Sequence, residues 1–80
     1  MAFYVYLLEC SDNSFYCGYT SDLDARLETH NKGLGGMYTR ARRPVRLVYA
    51  EKLETRSRAM KREAEIKKFS RKEKKELVMK

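Results

Sequence analysis

The sequence predicts an α+β fold: a three-stranded antiparallel sheet flanked by helices and followed by two C-terminal helices. Two apolar and aromatic runs, Phe3 to Cys10 and Phe15 to Thr20, are separated by the polar turn Ser-Asp-Asn-Ser, which is the pattern of a β-hairpin. A third strand-like run, Val45 to Glu51, follows the only proline. Between and after these runs, apolar residues recur at helical spacing. Eighty residues suffice for one such domain.

The first run is expected to be the central strand, because both of its alternating sets of side chains are largely apolar. The register of the hairpin decides where its tyrosines point. A four-residue loop pairs Cys10 with Phe15 and places Tyr6 and Tyr16 on opposite faces. A five-residue loop or a one-residue bulge pairs Cys10 with Tyr16 and places both tyrosines on one face. The sequence leaves both registers open. Gly18, inside the second strand, is typical of a bulge or of a close approach by a ligand.

A helix is expected from the N-cap Ser21 to about Asn31. Its apolar ridge consists of two leucines one turn apart. At 100° per residue, Arg26 and His30 lie directly beside that ridge. We therefore expect both side chains at the border between helix and sheet, partly covered.

Residues 32–44 are expected to form a loop, because they contain three of the four glycines and the proline. The arginines and the tyrosine near its end suit a phosphate backbone, although a solvated linking loop explains them as well. The residues predicted to bind nucleic acid here and on the later helix are Lys32, Tyr38, Arg40, Arg42, Arg43 and Lys67.

A longer helix is predicted from Thr55 or Ser57 to about Phe69. Glu63 falls within its apolar stripe, where an unpaired carboxylate is costly to bury. It needs a partner, which is either Lys67 one turn on, an arginine from elsewhere, or a metal ion.

The last helix is predicted to begin at a capping box formed by Ser70 and Glu73. Leu77 and Val78 are its expected apolar contacts.

The basic charge is concentrated in the second half of the chain. The net charge is +7, and residues 40–80 hold 16 of the 18 Lys and Arg while residues 1–25 hold none. Such asymmetry in charge indicates a polyanionic partner, most often nucleic acid. The alternative explanation is a basic surface that has no partner. A protein-interaction adaptor has less support, because the charge is so one-sided.

The sequence predicts a cytoplasmic protein. It has no apolar run near the roughly 18 residues of a membrane-spanning helix, and no basic-then-apolar signal segment at its start. Cys10 and Cys17 lack the spacing of a zinc site and are expected to be buried, reduced thiols.

Taken in order, four motifs resemble the GIY-YIG nuclease domain. They are a tyrosine ending the first strand (Tyr4-Val5-Tyr6), Tyr-x-Gly on the second (Tyr16-Cys17-Gly18), Arg26 with His30, and Glu63. The resemblance covers essentially residues 1–80, as a single domain, and is closest to small stand-alone bacterial members. The chain departs from the family pattern where Tyr4 replaces glycine and Cys17 replaces isoleucine. No asparagine matches a late polar residue that assists in some members.

The resemblance implies a metal-dependent endonuclease that hydrolyses DNA phosphodiester bonds, with Tyr6, Tyr16, Arg26, His30 and Glu63 as catalytic residues. Glu63 would hold one divalent ion, Mg²⁺ or Mn²⁺, and Arg26 and Tyr16 would contact the phosphate. Tyr6 is the implied general base, although the two tyrosines can exchange roles. His30 would accept a proton from a phenol or orient one.

The alternative interpretation is a non-catalytic nucleic-acid-binding module with the same fold. Branched or damaged DNA and RNA stay open as substrates. A monomer is favoured.

Overall fold

The computed structural model describes residues 2–79. Its elements in chain order are β1 (Phe3–Glu9), β2 (Phe15–Thr20), α1 (Leu23–Asn31), α2 (Met37–Arg40), β3 (Arg46–Leu53), α3 (Arg56–Lys67) and α4 (Arg71–Met79). The strands form one antiparallel sheet in the order β2-β1-β3. The predicted α+β fold, with its three-stranded antiparallel sheet and two C-terminal helices, is confirmed.

Strand β1 is central and is covered on both faces, as predicted. On one face, Val5 and Leu7 pack with Ile66 of α3, and α4 completes this side of the core. On the other face, Tyr6 and Leu8 pack with the leucines of α1. The sheet therefore separates α1 from α3 and α4, and β2 is left with one unpaired edge.

The hairpin differs from both predicted pairings. Leu8 lies opposite Tyr16, and a five-residue loop is closed by a hydrogen bond from the Cys10 N–H to the Ser14 carbonyl at 2.8 Å. The loop has the five residues of the second predicted register, but it begins one residue earlier, so the predicted pairing of Cys10 with a residue of β2 is wrong. Residues opposite each other, and residues two apart on a strand, share a face. Tyr6 and Tyr16 consequently point to the same side of the sheet.

Helices α1, α3 and α4 begin at side-chain caps. The N-cap of α1 is Asp22, whose carboxylate accepts the Ala25 N–H at 3.1 Å, so the prediction of Ser21 is wrong by one residue. Helix α3 follows the N-cap Thr55, the first of the two predicted starts. Before α4, Ser70 and Glu73 each accept the other's backbone N–H, which confirms the capping box.

Two further elements differ in their bounds from the predictions. The predicted loop at 32–44 contains the single helical turn α2. The third strand begins one residue later and ends two residues later than predicted. Leu77 and Val78 contact the core as expected. Among the described residues, no helix combines the length and apolar character needed to cross a membrane.

Candidate active site

The ring of Tyr6 crosses strand β2 at Gly18. A Cβ atom on Gly18 would lie 2.5 Å from the Tyr6 hydroxyl oxygen and 2.7 Å from Cζ, closer than real Cβ contacts allow. Glycine is therefore required here by a close approach, although the approaching group is a side chain of the protein and not the predicted ligand. The approaching group is the phenol of Tyr6, which reaches toward the unpaired edge of β2.

Behind this phenol lies His30, which is completely buried. Its Nε2 is 3.1 Å from the Tyr6 hydroxyl, and its Nδ1 is 2.8 Å from the Thr39 hydroxyl. The backbone at Gly35 packs so closely on the imidazole that a Cβ there would overlap the ring. Both ring nitrogens are satisfied, and either tautomer fits, since each hydroxyl can donate or accept.

Burial keeps this pair neutral. Burial, followed by the charge of Arg26, lowers the pKa of His30 below its ordinary value of 6.5. Burial also raises the pKa of the Tyr6 phenol, with further contributions from Tyr16 and Glu63, and Arg26 opposes them. At neutral pH the resting state is thus a phenol hydrogen-bonded to a neutral imidazole.

Tyr6 opens into a pocket of about 410 Å³ at the β2 edge. Residues from both faces of the sheet line it, together with residues of α1 and α3. They are Phe3, Tyr6, Tyr16, Gly18, Tyr19, Thr20, Ser21, Arg26, Arg56 and Glu63. Four of the five predicted catalytic residues therefore meet in one pocket, and the fifth, His30, lies behind Tyr6. Arg26 is exposed and His30 completely buried, so the prediction that both are partly covered is wrong.

Glu63 reaches the pocket from the opposite layer of the fold. The Cys17 thiol lies 3.9 Å from the backbone carbonyl of Glu63, which fixes α3 against β2. The Glu63 side chain is 20% exposed, and its Oε1 lies 3.5 Å from the Lys67 ammonium. Of the predicted partners, Lys67 is therefore in place. Cys10 and Cys17 are both buried free thiols, as predicted.

The donor set of the pocket fits a divalent ion held by one carboxylate. Within residues 2–79 no three His, Cys, Asp or Glu side chains cluster as metal ligands. Glu63 is the only acid among the described residues that line the pocket, and tyrosine, serine and threonine residues line it as well. Mg²⁺ keeps several waters and is bound through one or two carboxylates plus substrate oxygens, so a single glutamate in an open polar pocket suits it.

Two guanidinium groups share the pocket with this carboxylate. Arg26 approaches from α1, and Arg56 is the first residue of α3. The Arg56 Nε donates to the Tyr19 hydroxyl at 3.4 Å. Among the described ion pairs, neither arginine has an acidic partner. The pocket is therefore equipped to bind an anion.

The family model of the GIY-YIG catalytic domain matches residues 2–76. The chain belongs to the GIY-YIG family.

Relatives and solved structures agree with this assignment. UPF0213 proteins of Staphylococcus haemolyticus and Staphylococcus aureus are each 53% identical over 75 residues, which cover 94% of this chain and 92% of each relative. The solution NMR structure of UPF0213 protein BH0048 from Bacillus halodurans is similar with 47% identity and a TM-score of 0.62. The NMR structure of protein EF2693 from E. faecalis has 46% identity and a TM-score of 0.66. Both matches cover 99% of this chain and 84% of the other.

In this GIY-YIG domain, several predicted nucleic-acid-binding side chains are engaged within the protein. The Lys32 ammonium lies 2.7 Å from the Glu28 carboxylate. The Arg43 Nε donates to the Arg40 carbonyl at 3.0 Å and thereby braces the loop. Lys67 pairs with Glu63, as described above. The Arg40 side chain is exposed.

Tyr38 and Arg42 extend the aromatic cluster outward. The Tyr38 ring centroid is 5.9 Å from that of Tyr16, and the Arg42 guanidinium lies 4.0 Å from the Tyr38 centroid. The Arg42 Nε also pairs with Asp12 at 3.0 Å. Tyr38 therefore presents a partly exposed ring next to the pocket.

Three residues in or around the candidate site of this GIY-YIG domain could not be given a role from the sequence. Thr39 and Gly35 enclose His30, yet they belong to a loop without periodicity, where only the need to satisfy a buried imidazole could have indicated them. Arg56 is one of several basic residues at the start of α3, and nothing in its local sequence distinguishes it from Arg58.

Proposed function

We propose that this GIY-YIG protein is a metal-dependent endonuclease that hydrolyses DNA phosphodiester bonds in the pocket at the β2 edge. One observation carries the proposal. Tyr6, Tyr16, Arg26 and Glu63 come from four separate elements and line a single pocket, with His30 hydrogen-bonded behind Tyr6. Such convergence of a carboxylate, a guanidinium and phenols provides what phosphodiester hydrolysis needs.

Arg26 and Tyr16 bind the scissile phosphate in this proposal. The planar guanidinium offers paired N–H donors that match two phosphate oxygens. The phenol of Tyr16 adds a third hydrogen bond to the same group. Arg56, on the α3 side of the pocket, is a further donor for a phosphate oxygen.

Glu63 is the proposed ligand of one Mg²⁺ or Mn²⁺ ion, which would supply positive charge to the phosphate and to the leaving oxygen. The Lys67 ammonium lies 3.5 Å from Oε1 and would share the carboxylate with the ion. Because the negative charge of Glu63 raises the pKa of Tyr6, neutralising that charge favours deprotonation of the phenol.

Tyr6 is the proposed general base, and His30 is its positioning residue. An Nε2–H of His30 donating to the Tyr6 oxygen stabilises the phenolate that removes a proton from the attacking water. Arg26 favours the same charged form. The hydrogen bond to the imidazole supports Tyr6 over Tyr16 for this role.

We further propose that the protein is cytoplasmic and acts as a monomeric single domain. The second candidate function is a nucleic-acid-binding module without catalysis. It is favoured by the burial of Tyr6, which keeps the phenol protonated at rest.

The test is a cleavage assay on plasmid, linear and branched DNA with Mg²⁺, Mn²⁺ or EDTA. It compares the wild type with Glu63→Ala and with Glu65→Ala, a more exposed acid on the same helix. We expect metal-dependent cleavage that EDTA and Glu63→Ala abolish and Glu65→Ala retains. Cleavage that survives EDTA or Glu63→Ala overturns the metal role. Binding without cleavage in every condition favours the second candidate.

A further inference from the structure

A second pocket, of about 180 Å³, lies beside the first along strand β2. It is lined by Ser14, Phe15, Tyr38, Arg71 and Lys74. Lysine and arginine supply its charge, and no acidic residue lines it. A pocket on another face of α4, by contrast, is lined by Glu73 and Glu76 together with Arg62.

The linings of the two pockets adjoin along strand β2. Residues 14 and 15 line the second pocket, and Tyr16 begins the stretch of β2 that lines the first. Since β2 is an edge strand, no other strand separates them. Tyr16 and Tyr38, whose ring centroids are 5.9 Å apart, form a shared aromatic wall. At about 3.3 Å per residue, Phe15 lies roughly 10 Å along the strand from Gly18.

The cations of the second pocket are held in position. Arg71 and Lys74 lie one turn apart on α4 and therefore share a face of this helix. The Arg71 Nη2 donates to the Asn13 carbonyl at 3.0 Å, which orients the guanidinium across the hairpin turn. Within residues 2–79, the ion pairs do not include either residue. Their remaining N–H groups are available to an anion.

We propose that the second pocket binds a backbone phosphate of an unpaired DNA strand whose scissile phosphate occupies the first pocket. This inference rests on the proposed function of the first pocket. The Tyr38 ring is exposed, with Arg42 over one of its faces. It favours an unpaired strand, because a base can stack on the ring only when its own face is free. The substrate class is thus DNA with a single-stranded segment at the cleavage site.

The test measures binding in EDTA, where no cleavage competes. The probe is a fluorescein-labelled oligothymidylate of about 12 nucleotides, within the range of single-strand binding sites. A duplex of the same length is the second probe. Arg71→Gln/Lys74→Gln is compared with Lys72→Gln/Lys75→Gln, which removes the same charge from α4 at exposed positions outside the pocket.

One neutralised phosphate is expected to contribute about 0.7 to the slope of log affinity against log salt for a single strand. Arg71→Gln/Lys74→Gln should lose about that slope for the oligothymidylate, and the control variant clearly less. Equal loss in both variants overturns the proposal. So does tighter binding of the duplex than of the oligothymidylate, or failure of the wild type to bind the oligothymidylate.

Arg71 also ties the hairpin turn to α4, so its replacement affects folding as well. A comparison of Lys74→Gln with Lys75→Gln leaves this hydrogen bond intact. Lys74→Gln should lose about half as much of the salt slope as the double variant, and Lys75→Gln clearly less. The two proposals fail separately. If the pocket variants lose binding but the wild type cleaves no DNA, the strand-binding role of the second pocket stands and the proposed nuclease activity is wrong. If the wild type cleaves DNA and the pocket variants bind as tightly as the wild type, only the role of the second pocket is wrong.

Discussion

The hydroxyl oxygen of Tyr6 lies 3.1 Å from Nε2 of His30, inside the protein and at the back of an open pocket. Nδ1 of the same imidazole lies 2.8 Å from the hydroxyl of Thr39. One buried ring thus connects the middle of strand β1 with the turn α2. The position of the Tyr6 phenol depends on how firmly the loop around Thr39 holds His30.

Replacing Thr39 by valine should therefore destabilise the fold. The isosteric change leaves Nδ1 of His30 without its partner in the interior, and a buried unsatisfied group costs about 1–3 kcal/mol. The free energy of unfolding in urea measures the change. Thr29→Val is the control, because the Thr29 hydroxyl bonds only to a carbonyl of its own helix, at Ala25. Equal stability of Thr39→Val and the wild type would contradict the hydrogen-bond assignment.

Stability should fall as the pH is lowered through about 6.5, and His30 should be responsible. The folded protein disfavours the imidazolium, so the unfolded chain binds more protons below the ordinary pKa of 6.5. This stability is complete above that pKa and is lost as the pH falls toward the lower folded-state pKa. Urea midpoints at about pH 7.5 and pH 5.5 measure it. Since His30 is the only histidine, His30→Gln should flatten the dependence. An unchanged pH dependence in this variant would refute the effect.

Gly18→Ala tests the crossing of β2 by the Tyr6 ring. The new methyl group would overlap the phenol, so we expect a loss of about 1–3 kcal/mol of unfolding free energy and loss of cleavage as the ring shifts. A Tyr6→Leu background serves as the control, since the overlapping atoms are gone and the same substitution should cost less. If Gly18→Ala costs as much with leucine at position 6, the overlap is not its cause.

Arg56→Gln should weaken catalysis without unfolding the protein. A hydrogen bond to a charged group contributes about 1.5–3 kcal/mol, which corresponds to a fall of roughly 10–100-fold in kcat/KM. Arg58→Gln is the matched control, because Arg58 is an exposed arginine on the same helix that pairs with Glu54. A similar effect in both variants would show that general positive charge, and not the pocket, is responsible.

Much of the fold could be predicted from the sequence because its signals are local. The apolar periods of β1 and α1 and the capping box of Ser70 and Glu73 each depend on residues close together in the chain. The hairpin register could not be predicted, because it depends on the Cys10–Ser14 hydrogen bond that closes the loop. Had the loop contained one residue fewer, Tyr6 and Tyr16 would have faced opposite sides.

The candidate site, too, could be predicted from the sequence only in part. Its residue types and order indicated Tyr6, Arg26 and Glu63, which meet in one pocket. Thr39 and Arg56 could not be distinguished, because their roles arise from packing between elements distant in sequence. The predicted phosphate contacts of the 32–44 loop stay untested, and several of its basic side chains instead bond within the protein.

The rate of DNA cleavage by Tyr6→Phe in the presence of Mg²⁺ tests the central claim most directly. Phenylalanine keeps the ring over Gly18 and removes only the oxygen that contacts His30. Tyr4→Phe, the same change two residues earlier on β1, is the control. We expect a loss of about 100-fold or more for Tyr6→Phe and near wild-type cleavage for Tyr4→Phe. Cleavage by Tyr6→Phe at the wild-type rate would contradict the claim.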